Sequence, residues 1–278
     1  MLLRGLRCVF GNIPAMNLID LPLLKARLQS LDGRFDVDVV ASCDSTNSAL
    51  LRQAEAGAPS GRVLVAEVQT AGRGRRGRHW VSASADSLTF SLLWRFPLPI
   101  NRLSGLSLAV GVAVSRALEA LGAVGVCLKW PNDILLRQAD GDAKLAGILI
   151  ELQADRRGVC TVIGIGLNLR LPGDEVPQPA AGLAQAMSQL PGRTELLAEL
   201  LRQLALTLDA FAVDGLPSCK TDWLARHAWQ DAPVTLLDAE QPPRHGLCRG
   251  VDDEGALLLE TASGLERILS GDVSLRRA

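Results

Sequence analysis

The sequence predicts a mixed α/β (α+β) body followed by a small C-terminal β-barrel, and three observations carry that reading. Helix-like and strand-like apolar periods alternate between residues 36 and 229, the pattern of helices packed on a sheet. Beyond Trp229 the chain turns to short apolar runs cut by Asp, Glu, Gly and Ser-Gly turns, which marks a compact all-β unit. The 278 residues are 48% apolar and 21% charged, enough to bury a sizeable core and far from a disordered composition. The expected organisation is an N-terminal extension over 1–35, a body over 36–229 and a terminal unit over 230–278.

Taken in order, Leu21 to Leu31 is a short amphipathic stretch, and Met16 is as good a start as Met1. Residues 1–35 are too few for a three-helix DNA-binding domain, so sequence-specific DNA binding is not expected. Val37 to Ala41 is strand-like and runs into Asp44-Ser45-Thr46-Asn47, whose short polar side chains cap a helix ending near Gly57. Arg62 to Val68 and Leu88 to Trp94 read as strands around a Gly/Arg-rich loop at 72–79, and residues 102–121 read as a helix. A short strand at Val124 to Trp130 precedes two strands rich in β-branched residues, Leu145 to Leu152 and Val159 to Ile165. Pro172 to Pro179 is a loop, and Thr194 to Ala212 is a long Leu/Ala helix with Thr194 as N-cap. The terminal strands are expected at Pro233 to Asp238, Gly246 to Val251, Ala256 to Thr261, Leu265 to Leu269 and Val273 to Leu275.

Several function classes are disfavoured by composition. Lys plus Arg is 29 and Asp plus Glu is 30, so the net charge of −1 lacks the global basic footprint of a dedicated nucleic-acid binder. The longest apolar stretch, Leu106 to Val114, is shorter than the ~20 residues of a spanning helix, so no membrane partner is expected. Arg4 and Arg7 interrupt the apolar N-terminus where a signal peptide would be continuous. Cys8, Cys43, Cys127, Cys160, Cys219 and Cys248 are scattered without a C-x-x-C pair, as reduced core residues of a cytoplasmic protein would be. His79, His227 and His245 have no evident partners and read as surface groups.

Four segments carry chemistry. In Gln69-Thr70-Ala71-Gly72-Arg73-Gly74-Arg75-Arg76-Gly77-Arg78-His79-Trp80, Gly72, Gly74 and Gly77 satisfy G-x-G-x-x-G, but the following Val81-Ser82-Ala83-Ser84 has no helical period. A dinucleotide fingerprint must open a helix, so a Rossmann site is excluded. What remains is a flexible backbone with Arg73, Arg75, Arg76 and Arg78, suited to a phosphoanhydride or acyl phosphate; a solvated basic loop and a nucleic-acid patch stay open as alternatives. Lys129-Trp130-Pro131-Asn132-Asp133 ends a strand on a polar turn in which Lys129 is a point charge and Asp133 a possible Mg²⁺ ligand. Lys144-Leu145-Ala146-Gly147-Ile148-Leu149-Ile150-Glu151 opens a strand with a lysine, and Gly164-Ile165-Gly166-Leu167-Asn168 ends one on an amide able to read a ribose or phosphate oxygen.

With D-S-T-N at 44–47, these segments, in this order, resemble the motif series of biotin protein ligases in the short form without an N-terminal DNA-binding domain. The resemblance runs from about 36 to 278 and implies a catalytic domain with a mixed sheet flanked by helices, then an SH3-like barrel. It also implies synthesis of biotinyl-5′-AMP from biotin and Mg-ATP, then transfer to one lysine of a biotin carboxyl carrier domain, by a monomer or homodimer. By position, Ser45, Thr46, Asn47 and Gln69, with Arg73 and Gly74 through the backbone and Gly72 beside them, are then the biotin site. Arg75 and Lys144 bind the acyl phosphate, Arg78 and Lys129 the ATP phosphates, Asp133 the metal, Asn168 the nucleotide and Trp223 the adenine. Such chemistry needs positioning and charge neutralisation and no protein nucleophile. A lipoate or octanoate ligase or transferase of similar fold is the alternative enzyme; its linear acyl substrate makes no use of the Ser/Thr/Asn plus Gln set.

Overall fold

The computed structural model describes residues 19–31, 33–81, 86–155, 158–172, 179–238, 242–270 and 273–277. The readings at Met16 and Cys8 and most of the loop from Pro172 to Pro179 lie outside the described residues. Seven strands form the first sheet: β1 (Asp36–Cys43), β2 (Arg62–Gln69), β3 (Ser87–Phe96), β4 (Val126–Lys129), β5 (Asp133–Gln138), β6 (Gly141–Asp155) and β7 (Gly158–Asn168). Their order is β1-β2-β3-β7-β6-β5-β4. β1 and β2 run parallel and the other pairs antiparallel, so the sheet is mixed.

Helices α1 (Leu21–Arg27), α2 (Thr46–Glu55), α3 (Leu106–Ala120), α4 (Arg193–Asp214) and α5 (Lys220–Ala225) complete the body. The alternation of β3 shows how they divide the two faces. Leu88, Phe90, Leu92, Trp94 and Phe96 belong to the large core with α3 and α4, whereas Leu93 packs with Leu50 and Ala54 of α2. Thr89 and Ser91 share the face of Leu93 by the two-residue period. Across that face Ser91 pairs with Gly164 and Thr89 with Gly166, which in turn pairs with Gly147 on β6. Beyond α2, therefore, the sheet presents small polar side chains and a glycine floor, which leaves room for a ligand.

α3, with the turn before it, is apolar and long enough by composition to cross a membrane over Ile100–Ala120. Its residues from Val112 to Val114 are fully buried in the core, so here it is the central helix of a packed domain.

Five antiparallel strands follow: β8 (Pro233–Asp238), β9 (Arg244–Val251), β10 (Leu257–Thr261), β11 (Gly264–Ile268) and β12 (Val273–Arg277), ordered β11-β10-β9-β8-β12. β11 and β12 are the edges and do not pair, so the expected barrel is an open sheet. This second sheet is tied to the first where Trp130 Nε1 donates to the carbonyl of Gly255 at 3.0 Å. Leu128 of β4 also exchanges backbone hydrogen bonds with Arg226 and Ala228.

Four local expectations are corrected. β5 occupies what reads as a turn after Pro131, because Asp133–Gln138 pairs with both β4 and β6. β6 begins at Gly141, which places Lys144 inside the strand, opposite Leu135 beside a register shift. α4 starts at Arg193 with Gly192 as N-cap, and the Thr194 hydroxyl accepts from the backbone N–H of Asp20 at 3.0 Å, joining α1 to α4. His227 is no surface group: it is buried, with its ring 4.4 Å from that of Trp223, Nδ1 3.3 Å from Gln230 Oε1 and Nε2 3.8 Å from Cys248 Sγ.

Burial pushes the His227 imidazole down to about 4, against a smaller opposing pull from Gln230 and Asp231. A histidine depressed on folding gives stability that is complete above its unfolded value, near 6.5, and lost as pH falls toward 4. That drop corresponds to roughly 3 kcal/mol. Thermal melts of wild type and His227→Phe across pH 7.5 to 4.5 should therefore diverge. The wild type should lose more stability between 6.5 and 4.5, and parallel curves would assign that acid sensitivity to other groups.

Candidate functional site

The glycine floor, the 72–80 loop, the β4–β5 turn and β12 enclose a cavity of about 550 Å³. Its lining includes Ser45, Thr46, Asn47, Gln69, Arg73, Gly74, Arg75, Arg78, Lys129, Asp133, Lys144 and Asn168 of the expected site. Gly72 lies beneath the loop, where a Cβ would stand 2.4 Å from the Trp80 carbonyl oxygen.

One end is neutral and polar. Ser45 caps α2, which turns the backbone N–H groups of this helix start toward Gln69. Gln69 Oε1 accepts from the Thr46 backbone at 2.7 Å and from the Thr46 hydroxyl at 3.1 Å. The Ser91 hydroxyl lies 2.7 Å from Thr46 Oγ1 and 2.6 Å from Asn47 Oδ1. Asn47 Nδ2 donates to the Leu149 carbonyl and to Glu151 Oε2, and Arg73 reaches the same Glu151 oxygen at 2.6 Å. Asn47 is thus spent on the framework: its amide donors hold β6, and its Oδ1 sits where a Cβ on Gly164 would come within 2.3 Å.

The other end is cationic. Asp133 is shared, with Oδ1 2.7 Å from Lys144 Nζ and Oδ2 3.4 Å from Lys129 Nζ. Burial pushes the Asp133 carboxyl up, but the two ammonium groups outweigh it and hold the group below the usual carboxylate range. Burial draws Lys129 down against the pull of Asp133. Two ammonium groups on one carboxylate leave positive charge over, and Arg75, Arg76, Arg78 and Arg276 also face the cavity. Arg75 is steered by Asn132 Oδ1 at 3.1 Å, while Asn132 Nδ2 holds the Ile148 carbonyl. Lys129 and Lys144 are largely taken out of water, a cost already met in the folded protein, and this strengthens their hold on an anion.

Trp80 joins the two ends. Its indole is pressed against the floor, since a Cβ on Gly166 would stand 2.2 Å from the ring, and Lys144 Nζ is 5.9 Å from the ring centre.

Three candidate residues stand in surroundings that the sequence did not suggest. Trp223 lies in α5, 1% exposed and against His227, so it is a core residue outside the cavity lining. Asn168 lines the cavity, but its amide donates to the carbonyls of Lys144 and Ala181, which positions the segment carrying Lys144. Asp133 has both oxygens on ammonium groups, and no cluster of three His, Cys, Asp or Glu occurs among the described residues. These residues do not fit a protein-held magnesium site.

Asn132 and Arg276 line the cavity, and Ser91 and Glu151 hold lining residues from behind, but the sequence reading gave none of the four a role. Ser87, Thr89 and Ser91 at every second position of an otherwise apolar strand were a usable signal of a polar face. Arg276 had none, because the second sheet brings it to the cavity from the end of the chain.

Residues 39–168 match the Biotin/lipoate A/B protein ligase family, and residues 232–276 match the Biotin protein ligase C terminal domain. The chain is 38% identical to the bifunctional ligase/repressor BirA of Escherichia coli, over 92% of this chain and 79% of that protein. It is 35% identical to the biotin–[acetyl-CoA-carboxylase] ligase of Mycobacterium tuberculosis, over 85% of this chain and 88% of that one. Among solved structures it resembles a biotin protein ligase from Aquifex aeolicus in complex with biotin and ATP, with a TM-score of 0.74 and 31% identity over 87% of this chain and 99% of that one.

The shared carboxylate makes an asymmetric prediction. Asp133→Asn strands two buried cations and should lower stability by about 3 kcal/mol, whereas Lys144→Met leaves Asp133 paired with Lys129 and should cost under about 1 kcal/mol. Denaturant melts of the two variants check the order, and a reversed order would remove Asp133 from the centre of the site.

Proposed function

Because the chain belongs to the Biotin/lipoate A/B protein ligase family, and within it is a biotin protein ligase, we propose a division of labour among its residues along the cavity. The enzyme activates biotin with ATP and passes it to a protein. In the first step a biotin carboxylate oxygen attacks the α-phosphorus, the mixed anhydride biotinyl-5′-AMP forms and pyrophosphate leaves. In the second an amine attacks the acyl carbon, the amide forms and AMP leaves.

The observation that carries the assignment of roles is the polarity of the cavity: neutral hydrogen-bonding groups at one end, a cationic cluster at the other, and a glycine floor with an indole between them. Biotin has the same polarity, a neutral ureido bicycle and a carboxylate joined by an apolar chain. Ser45, Thr46 and Gln69, with the backbone of Arg73 and Gly74, bind the ureido ring, and Asn47 holds that set in place. Lys144 and Arg75 draw the carboxylate and α-phosphate together, which offsets the repulsion between two anions as they react. Lys129, Arg78 and Arg276 take the remaining phosphates. A magnesium ion would come with the nucleotide rather than from a site of the protein's own, and would supply further charge neutralisation at the phosphates. Asn168 acts through Lys144. The acceptor amine is the lysine of a biotin carboxyl carrier domain, the class of protein on which this ligase family acts.

The neutral polar end also argues against a linear acyl acid such as lipoate. Each hydrogen bond that a ureido group makes here and a linear acid cannot is worth about 1 kcal/mol, so two or three of them give a discrimination on the order of a hundredfold. Exchange of labelled pyrophosphate into ATP should depend on biotin and be at background with lipoate. Equal exchange with both acids would overturn the biotin end of the assignment. Lys144→Ala should lower exchange by about 10²–10³-fold with a cooperative melt retained. Activity near wild type would make Lys144 a structural partner of Asp133.

A further inference from the structure

Two polar atoms in the cavity lining are buried without a hydrogen-bond partner among the described residues: the Thr89 hydroxyl and the Trp80 indole Nε1. They meet at one place. Thr89 pairs with Gly166 across β3 and β7, and a Cβ on Gly166 would lie 2.6 Å from Trp80 Nε1. Thr89 is 4% exposed, so water does not serve it freely. Its strand neighbours, Ala66 on β2 and Gly166 on β7, carry no polar side-chain atom. A threonine in this sheet can satisfy itself otherwise: Thr161 on β7 donates to the Trp94 carbonyl at 2.9 Å. Thr89 does not, although an orphaned hydroxyl destabilises the fold.

The indole N–H can only donate, and a hydroxyl beside it can donate too, so the group that fills this spot is an acceptor. Position narrows the choice. Ser91, two residues further along the same face, is already engaged with Thr46 and Asn47 in the row assigned to the ureido ring. Thr89 stands in the adjacent row, which continues through Gly166 and Gly147 to Asp133 at the cationic end. A bicycle seated in the first row turns its other ring toward the second. In biotin that ring holds one heteroatom, a thioether sulfur, which accepts and does not donate.

We infer that Thr89 is a specificity-determining residue that donates its hydroxyl hydrogen to the ring sulfur of biotin, against the Trp80 wall. The inference rests on the biotin assignment made above. It predicts that Thr89 favours biotin over desthiobiotin, which keeps the ureido ring and the acid but lacks the sulfur.

The test is the biotin-to-desthiobiotin ratio of kcat/KM in pyrophosphate exchange, for wild type, Thr89→Val and Thr89→Ser. Valine keeps the shape and removes the hydroxyl. Thr89→Val should lose about fivefold with biotin, equivalent to ~1 kcal/mol, and stay within twofold with desthiobiotin. Its melting temperature should be equal to or above wild type, since an orphan is removed. Thr89→Ser should restore the ratio; if valine prevents folding, Thr89→Ala gives the same readout. Equal losses with both acids, or no loss with biotin, would overturn the sulfur contact. No biotin-dependent exchange in the wild type would instead strike down the biotin assignment, and this contact with it.

Discussion

The site depends on one carboxylate serving two ammonium groups. Asp133 opens β5 directly after the turn that carries Asn132, so a single side chain ties β4, through Lys129, to β6, through Lys144. Burying three charged groups costs several kcal/mol per ion unless they neutralise one another. Here neutralisation stops one charge short, and the remainder faces the cavity. An anionic ligand therefore completes a charge balance that the fold leaves open, which makes binding and local rigidity two aspects of the same interaction.

The glycine floor is the complementary constraint. Had Gly147, Gly164 and Gly166 carried side chains, the face beyond α2 would be an ordinary sheet surface in need of another helix. Without them the floor lets Asn47 and Trp80 come into direct contact with the backbone. The two side chains then act as spacers for the polar end and the channel. Asn47 shows how much of a binding site is scaffold: it is buried, polar and central, yet its donors face the protein.

Elements with an unambiguous period were legible in the sequence. The α2 cap, the strands from Arg62 and Leu88, the paired strands before Asn168 and all five terminal strands lie within a few residues of where their patterns put them. β5 was hidden because Pro131 and Asn132 speak for a turn and only Ile134, Leu135 and Leu136 follow as an apolar run. Its strand character comes from having partners on both sides, which is a tertiary fact. The burial of His227 was hidden for a related reason: it comes from Trp223 on one side and Cys248 of β9 on the other, and local sequence contains no trace of that meeting. Candidate residues close together in the chain were found as groups. Those that join the site across the sheet or from the second sheet, Ser91, Glu151 and Arg276, were not.

The participation of β12 has a consequence for biosynthesis. Val273 to Arg276 form part of the cavity wall, while the floor and the cationic pair are complete by residue 168. A nascent chain thus carries the glycine floor long before it has a wall on that side, and the wall appears only when the last strand has been translated and has paired with β8. Before β12 is in place, Lys144 and Arg75 face a cavity that lacks the wall formed by Val273 to Arg276. Enclosure of the cavity is in this way made conditional on the second sheet, and the pairing of β12 with β8 becomes the step that completes its wall.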